Sequence, residues 1–138
     1  MVDLLHAVEE SVAPHVTAAR LTIVDRQVAT SFDNELVTLA SGDVRVSVVR
    51  ERGVTRIEFA SVVKPSAWFG SGEVMELLGV SKDGSLVGDQ VQDVLAGLVR
   101  FLNAFWNEIQ ALFDRTRFAN TEAELLRIRK LRDDQRWG

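Results

Sequence analysis

Two hydrophobic periodicities divide the chain into a helical start, a stranded middle and a helical end. Over residues 4 to 19, apolar side chains recur every three or four positions, which is the stripe of an amphipathic helix. Pro14 interrupts this stripe, so we expect the helix to stop near Ala13 or to continue, kinked, to about Arg20. Over residues 21 to 61 the period changes to two, which is typical of strands.

One pair of strands has a register that the sequence predicts directly. An Arg52-Gly53 loop sets Val48 opposite Ile57 and Val46 opposite Phe59, with all four apolar residues on one face. A slip of one residue would oppose valine to arginine or glutamate, so the alternation fixes the register to within two residues. We therefore expect a β-hairpin here.

The preceding strand is expected to join the same sheet. A Ser41-Gly42 loop sets Leu39 opposite Val44 and Val37 opposite Val46, and the apolar faces agree again. The three strands form an antiparallel meander with a single apolar face.

That apolar face needs a cover, which the later part of the chain can supply. A fourth strand is expected within residues 21 to 32, before a turn at Asp33-Asn34. This prediction is the weaker one, because the alternation of apolar and polar residues is poor there. The long helix over residues 90 to 113 should pack across the sheet, since its apolar residues fill an arc of roughly 160° at 100° per residue. An arc this wide predicts contact with a second element or with a second copy of the chain.

Two shorter helices complete the predicted architecture. A helix over residues 73 to 78 should end at Gly79, which suits a C-terminal cap. Residues 81 to 89 contain further glycines and are expected to form an exposed connection. Thr121 with Glu124 matches a capping box, which would start a final helix. The fold class is therefore α+β: an N-terminal helix, an antiparallel meander of three or four strands and three C-terminal helices.

Composition supports a single α+β domain over residues 1 to 138. The chain is 46% hydrophobic and 26% charged, and it contains no cysteine. Disulfide scaffolds, zinc ribbons, thiolate nucleophiles and iron–sulfur sites are therefore excluded. The N-terminus lacks the basic start and apolar run of a signal peptide, and no apolar stretch approaches the roughly 18 residues of a spanning helix. We expect a cytoplasmic location and no membrane association.

No set of catalytic residues stands out. His6 lies at helical spacing from Glu9 and Glu10, and His15 could add a third metal ligand, but we favour ordinary surface positions, because such a set arises easily by chance. The segment 70 to 72, Gly-Ser-Gly before a helix, resembles the start of a phosphate-binding turn. It lacks the third glycine and the lysine of a P-loop, which favours a plain turn with a serine cap. We expect no cofactor and no enzyme activity.

The adjacent aromatic residues Trp68 and Phe69 lie in a loop, where no periodicity requires large apolar side chains. Buried, they would plug one end of the core; exposed, they would anchor a protein interface. We favour the plug, because monomeric proteins seldom expose such a patch.

Charge is unevenly placed along the chain. The formal net charge of −4 hides two basic segments, residues 45 to 64 and 127 to 138, each with five basic and two acidic side chains. Arg45 and Arg56 share the strand face opposite the apolar one. A stripe along the last helix carries further arginines, namely Arg129, Arg132 and Arg136.

These observations favour a non-catalytic protein-interaction module, of the accessory, immunity-like or regulatory kind by fold-level analogy with small bacterial proteins. An acidic protein partner suits the arginines, and a homodimer is compatible with them. Nucleic acid is disfavoured, because the chain is acidic and the arginine-bearing strand face has no aromatic residue. The alternative is a small-ligand pocket in the region of residues 64 to 90. The candidate partner-binding residues are Arg45, Arg50, Arg52, Arg56, Trp68, Phe69, Arg129, Arg132 and Arg136.

Overall fold

The computed structural model describes residues 3–29, 34–80 and 86–137, with side chains up to Gln135. It confirms the α+β class, the N-terminal helix, the antiparallel sheet and the three helices that follow it, but the sheet has six strands rather than three or four. The elements in chain order are α1 (Leu4–Ser11), β1 (Thr22–Ala29), β2 (Asn34–Ser41), β3 (Val44–Glu51), β4 (Val54–Ser61), β5 (Phe69–Gly70), α2 (Ser71–Leu78), β6 (Val87–Gly88), α3 (Val91–Phe113) and α4 (Phe118–Trp137).

Strands β1 to β4 form the expected antiparallel meander, and two short strands share the outer edge of β4. Strand β5 pairs with β4 at Phe59, and β6 pairs with it at Thr55. The expectation that residues 81 to 89 form only an exposed connection is wrong for their second half, which supplies β6 and buries Leu86; residues 81 to 85 lie outside the described part of the chain. Strands of two residues are too short to show a period of two, so the sequence pattern could not reveal them.

The predicted register of the β3–β4 hairpin is confirmed. Val48 faces Ile57 and Val46 faces Phe59, around a loop formed by Arg52-Gly53. Both loop residues have positive φ, 53° and 82°, which is the combination that a type I′ turn requires.

The predicted register of the β2–β3 hairpin is wrong by two residues. Its loop is Gly42-Asp43, so that Leu39 faces Val46 and Val37 faces Val48. Gly42 takes a φ of +59° at the first loop position, as in a type II′ turn. A shift of two residues leaves every side chain on its original face, and alternation alone could not detect it.

The doubtful first strand exists as the edge strand β1. Its register shifts between Ile23 and Asp25, and this bulge takes Val24 out of the alternation. The poor alternation has a second cause, because nearly every residue of the strand is exposed. Of the predicted turn, Asn34 begins β2, and Asp33 lies outside the described residues.

Helix α1 stops before Pro14 instead of continuing through it. It ends at Ser11, and the following turn is closed by the backbone N–H groups of His15 and Val16, which both donate to the Val12 carbonyl. At its start, Asp3 accepts a hydrogen bond from the Leu5 backbone N–H at 3.0 Å, as an N-cap residue does.

The long helix α3 covers the apolar face of the sheet as predicted. The Phe59 ring of β4 lies 6.1 Å from both the Phe101 and Phe113 rings of α3. Helices α1 and α4 also pack on α3, and they provide the second contact that its wide apolar arc predicts. Among the helices that the structure describes, none has the length and apolar character needed to cross a membrane.

The last two predicted helix boundaries have different outcomes. Helix α2 ends at Leu78, before Gly79 with a φ of +74°, as expected. Helix α4 begins at Phe118, so the predicted capping box at Thr121 is wrong. Thr121 is buried one turn inside the helix, and Asp114 organises the preceding turn by accepting the Thr116 backbone N–H at 2.8 Å.

Candidate functional site

The sheet has one face under the helices and a second face that contributes nothing to the shared hydrophobic core. Val46, Val48, Ile57 and other residues of the first face belong to that core, and their alternating neighbours do not. We call the second side the open face and define it by Leu36, Thr38, Ala40, Arg45, Ser47, Val49, Arg56, Glu58 and Ala60.

Small residues on the open face are buried although they lie outside the core. Ser47 and Ala60 are 0% exposed and Val49 is 7% exposed. Longer side chains of neighbouring strands can cover such small residues. Arg45 and Glu58 are the long residues beside Ser47 and Ala60. The open face is therefore a tightly packed surface of small residues beneath longer polar ones.

Trp68 extends the open face beyond β4. Ala67 and Phe69 pack in or against the core, whereas the half-buried Trp68 between them does not. Successive side chains of an extended segment point to opposite sides, so Trp68 lies on the side of the open face. Trp68 directly precedes β5, whose first residue, Phe69, pairs with Phe59 of β4. The plug that we expected from both aromatic residues is formed by Phe69 alone.

Arg45 occupies the centre of this region. Its cross-strand neighbours are Ala40 on one side and Ala60 on the other. Both alanines are short, and Ala60 is fully buried, so longer side chains such as that of Arg45 lie over it.

The guanidinium of Arg45 has no compensating charge within the described part of the chain. Its Nε is inaccessible to solvent and has no hydrogen-bond partner, and the structure shows no ion pair for this side chain. Glu58 lies diagonally across from it but approaches Arg56 instead, with 4.0 Å between Arg56 Nε and Glu58 Oε2. A polar group removed from water without a partner is costly, so this Nε is a local cost to stability that the ion-paired arginines avoid.

The other arginines of the first basic segment are dispersed. Arg50 projects to the helix-covered side and pairs with the buried Glu35 at 3.2 Å, which also binds Arg26 at 3.2 Å. Arg56 pairs with Glu51 at 3.4 Å. The open face therefore carries charges of both signs and is not a uniform basic patch.

Arg52 and Lys64 have partners outside the central strands of the open face. Arg52 is exposed in the β3–β4 turn, where its backbone N–H donates to the Asn34 Oδ1 at 3.1 Å. Lys64 pairs with Glu122 of α4 at 2.9 Å. Arg52 stays at the rim of the open face, and Lys64 connects the loop after β4 to the last helix.

The first predicted arginine of the C-terminal stripe is used inside the protein. Arg129 pairs with Glu73 of α2, with 2.9 Å from Nε to Oε2 and 3.1 Å from Nη2 to Oε1. Its Nη2 also donates to the Trp68 carbonyl at 2.9 Å, and its guanidinium carbon lies 4.8 Å from the centre of the Phe69 ring. These contacts of Arg129 connect α4 to α2 and to the segment that contains Trp68 and Phe69.

The second arginine of the stripe has a similar role. Arg132 Nη2 donates to the Gly72 carbonyl at 2.9 Å and lies 3.5 Å from Glu76 Oε1. A Cβ at Gly72 would come within 3.1 Å of Arg132 Nη1, so glycine permits this close approach. The backbone of Arg136 belongs to α4, but its side chain lies outside the described residues.

The turn that resembles a phosphate-binding turn is occupied by a carboxylate of the protein itself. Glu73 Oε1 accepts a hydrogen bond from the Gly70 backbone N–H at 3.0 Å, at the start of α2. A carboxylate at a helix N-terminus interacts with the same amide groups that would bind an anion. Glu73 therefore takes that position while it also binds Arg129.

Two cavities include residues of the 64 to 90 region, and neither is lined by Trp68, Gly70 or Gly72. An open cavity of about 400 Å³ lies at the start of α3 and is lined by Asp89, Asp93 and Arg100, among others. A second cavity, of about 280 Å³, is lined by Glu73, Arg129, Arg132 and Asp133. The ion pair between Arg129 and Glu73 in its wall joins α4 to α2. His6 pairs with Glu10 at 3.0 Å, and no group of three metal-binding side chains occurs in the described residues.

The sequence alone singled out Arg45 and Trp68 but not Ala60 or Glu73. The predicted β3–β4 register already placed Ala60 opposite Arg45, so this alanine could have been found. Glu73 could also have been found from the sequence, because it follows the N-cap position of α2 by three residues. The separation of Trp68 from Phe69 could not be found, because it depends on a two-residue strand.

Comparison of the chain with protein families, with curated proteins and with solved structures found no match.

Proposed function

We propose that the protein is a non-catalytic protein-interaction module that binds its partner through the open face. The position of Trp68 carries this proposal: it is half-buried and outside the core, while its neighbours Ala67 and Phe69 contact the core. Tryptophan and arginine are the residues most often found at the energetic centres of protein interfaces. Here Arg45 pairs with Ala60 and Trp68 directly precedes the strand that pairs with Phe59, so both residue types lie near the same end of β4.

The size of the open face favours a transient complex. Three strands of eight residues, β2 to β4, at about 4.8 Å per strand and 3.3 Å per residue, give a flat area on the order of 400 Å². Stable complexes bury about 800 Å² per partner, and weak signalling contacts bury less. The open face matches the smaller class unless neighbouring loops add to it.

The internal contacts of the arginines narrow the proposed binding surface. Arg50, Arg129 and Arg132 support the fold through ion pairs or hydrogen bonds, so we propose Arg45 and Trp68 as the main contacts. Residues Arg52 and Arg56 would then contribute at the rim, where exposed charges steer association more than they add affinity. An acidic protein partner and a cytoplasmic location remain parts of the proposal.

The edge strand β1 is a poorer docking site than the open face. Val24 and Val28 are exposed on it, yet the bulge at Val24 and the charged Asp25 and Arg26 interrupt a flat edge. Bulges and charges are features with which natural proteins prevent edge-to-edge pairing. We therefore propose side-chain recognition on the open face and not strand addition to β1.

Affinity capture from a lysate of the source organism tests the proposal. The wild type is compared with Leu36→Glu, which places a charge on the open face, and with Leu126→Glu, which places the same charge on an exposed site of α4. Mass spectrometry should identify a protein retained by the wild type and by Leu126→Glu but lost with Leu36→Glu, and the purified pair should reproduce this pattern. The proposal is contradicted if the wild type and both variants retain the partner equally, or if the wild type retains no protein.

A further inference from the structure

Building on the proposed function, we infer that the partner on the open face is a second copy of this chain, stacked face to face about a two-fold axis. The axis lies between the two sheets and runs across their strands, above the row that Val48 and Ile57 form. A second copy is itself an acidic protein, with a formal net charge of −4. Charge positions, room beside Glu51 and exposed apolar residues support this arrangement.

Opposite charges lie at equal distances on the two sides of this row. On β4, Arg56 comes one position before the row and Glu58 one position after it. On β3, Arg45 comes three positions before the row and Glu51 three positions after it. The two-fold axis therefore sets Arg56 over Glu58 of the second copy. It also sets Arg45 over Glu51 of the second copy, as a self-complementary interface about a two-fold axis requires.

The other two-fold axis open to stacked sheets, which runs along β3, brings like charges together. It sets Arg45 over Arg45 of the second copy and Glu51 over Glu51 of the second copy. Like charges that face each other across an interface oppose association. Strands of stacked sheets stay within about 30° of each other, so the comparison also holds for twisted sheets. Charge therefore selects the axis that runs across the strands.

Glu51 can accept Arg45 of the second copy. Arg45 has no ion pair with a described residue, and Glu51, whose side chain is 48% exposed, contacts Arg56 at 3.4 Å. A carboxylate can accept hydrogen bonds from two guanidinium groups, so Glu51 can bind Arg45 of the second copy without releasing Arg56. A cavity of about 160 Å³ beside Glu51 is also lined by Leu36 and Val49. A cavity of similar size holds a benzene ring, so the incoming guanidinium has room.

Exposed apolar residues at the outer edge of β4 follow the same symmetry. Val54 and Val87 are 44% and 53% exposed. Val87 pairs with Arg56, so both valines lie on the side of the open face, near the start of β4. Trp68 precedes the strand that pairs with Phe59, toward the other end of β4. Because the axis exchanges the two ends of β4, it brings Trp68 of one copy toward Val54 and Val87 of the other, and this apolar contact favours association.

Sedimentation equilibrium from micromolar to millimolar protein tests the arrangement by exchanging charges. The face of β2 to β4 is smaller than the roughly 800 Å² that stable complexes bury per partner, so the wild type should form a weak dimer in the micromolar range. Arg45→Glu alone and Glu51→Arg alone should each raise the dissociation constant about tenfold or more, because like charges then face each other at two places. An equimolar mixture of the two variants should recover dimerisation, because every pair across the axis is again of opposite sign. Both variants stay net negative, so overall attraction between them cannot cause this recovery.

Arg127→Glu, which reverses an exposed charge of α4, is the matched control and should dimerise like the wild type. The inner pair provides a second exchange if a variant does not fold: Arg56→Glu and Glu58→Arg should each weaken the dimer alone and restore it when mixed. A wild type that stays monomeric at millimolar concentration overturns the inference. So does a dimer that neither exchange weakens, or a weakened dimer that the mixture does not restore.

The capture experiment separates this inference from the proposed function. If the wild type is monomeric but retains a different protein that Leu36→Glu loses, the open face binds a partner and the second copy is not that partner. If the wild type is monomeric and retains nothing, the proposed function fails as well. If it dimerises and retains the untagged chain from the lysate, and Leu36→Glu loses that chain, both are supported.

Discussion

The Arg129 guanidinium and the Glu73 carboxylate form a two-point ion pair between α4 and α2, with distances of 2.9 and 3.1 Å. Glu73 is buried, and it also accepts the Gly70 backbone N–H at the start of α2. The pair therefore connects a helix N-terminus, the last helix and the loop that presents Trp68. Arg129 Nη2 also donates to the Trp68 carbonyl and so holds the backbone of the proposed binding residue.

Truncation of this pair should weaken the fold. We expect Arg129→Ala to lower the free energy of unfolding by about 1–3 kcal/mol, because Glu73 then keeps its burial without its charged partner. Urea unfolding measures the effect, and a double-mutant cycle with Glu73→Ala should give a coupling energy of about 1 kcal/mol. Arg127→Ala, an exposed arginine on the same helix, serves as the control and should change stability by less than about 0.5 kcal/mol. Equal effects of the two arginine variants would contradict a structural role for Arg129.

Asn103 of α3 anchors the connection between α1 and β1. Its Oδ1 accepts the backbone N–H groups of Thr17 at 2.8 Å and Ala18 at 3.2 Å, and its Nδ2 donates to the His15 carbonyl at 3.1 Å. We expect Asn103→Ala to cost about 1–3 kcal/mol and to speed hydrogen exchange at Thr17 and Ala18. Unchanged exchange at these two amides would show that the connection is held by other contacts.

The β3–β4 turn requires glycine at its second position. Gly53 has a φ of +82°, which an L-residue with a Cβ rarely adopts. We expect Gly53→Ala to destabilise the protein by about 1 kcal/mol. Gly88→Ala is the matched control, because Gly88 has no positive φ and an added Cβ would make only an ordinary 3.8 Å contact with Val94. A thermal unfolding midpoint that falls equally in both variants would contradict the conformational explanation.

Acid should remove a contribution of Asp43 to stability. Hydrogen bonds from the Arg115 side chain and backbone hold the pKa of Asp43 below its ordinary value of 3.8, and the Arg115 charge adds to the effect. A carboxyl whose pKa is lower in the folded state stabilises the fold above the unfolded pKa. That contribution is lost as the pH falls through the folded value.

The Asp43→Asn variant tests this dependence. Urea unfolding should find the variant less stable than the wild type at pH 6, with the difference shrinking as the pH falls below 3.8. Glu124→Gln, which removes an exposed carboxylate of α4, should show a smaller difference at pH 6. A gap between Asp43→Asn and the wild type that is constant from pH 6 to pH 2 would contradict the linkage.

The sequence predicted the elements better than their exact pairing. Alternation around Arg52-Gly53 was sufficient for the β3–β4 register, because both loop residues suit a type I′ turn. It was insufficient for β2–β3, where a loop at Gly42-Asp43 and one at Ser41-Gly42 put the same residues on the same faces. Turn geometry, which alternation does not contain, decided between them.

The candidate site was less predictable, because side-chain partners depend on distant parts of the chain. The arginine stripe of the last helix was visible in the sequence, but its use against Glu73 and Gly72 depends on how α2 and α4 pack. The different positions of Trp68 and Phe69 depend on the pairing of β5 with β4. Arg45, by contrast, was already placed on the correct face by the period of two.

Site-specific photo-crosslinking is the most direct test of the open face as the binding surface. A benzoylphenylalanine at position 36 reports contacts of the open face, and one at position 126 reports contacts of an exposed site on α4. Irradiation of intact cells of the source organism should produce a covalent adduct with a second protein from position 36 and none from position 126. An adduct from position 126 alone, or no adduct from position 36, would contradict the account.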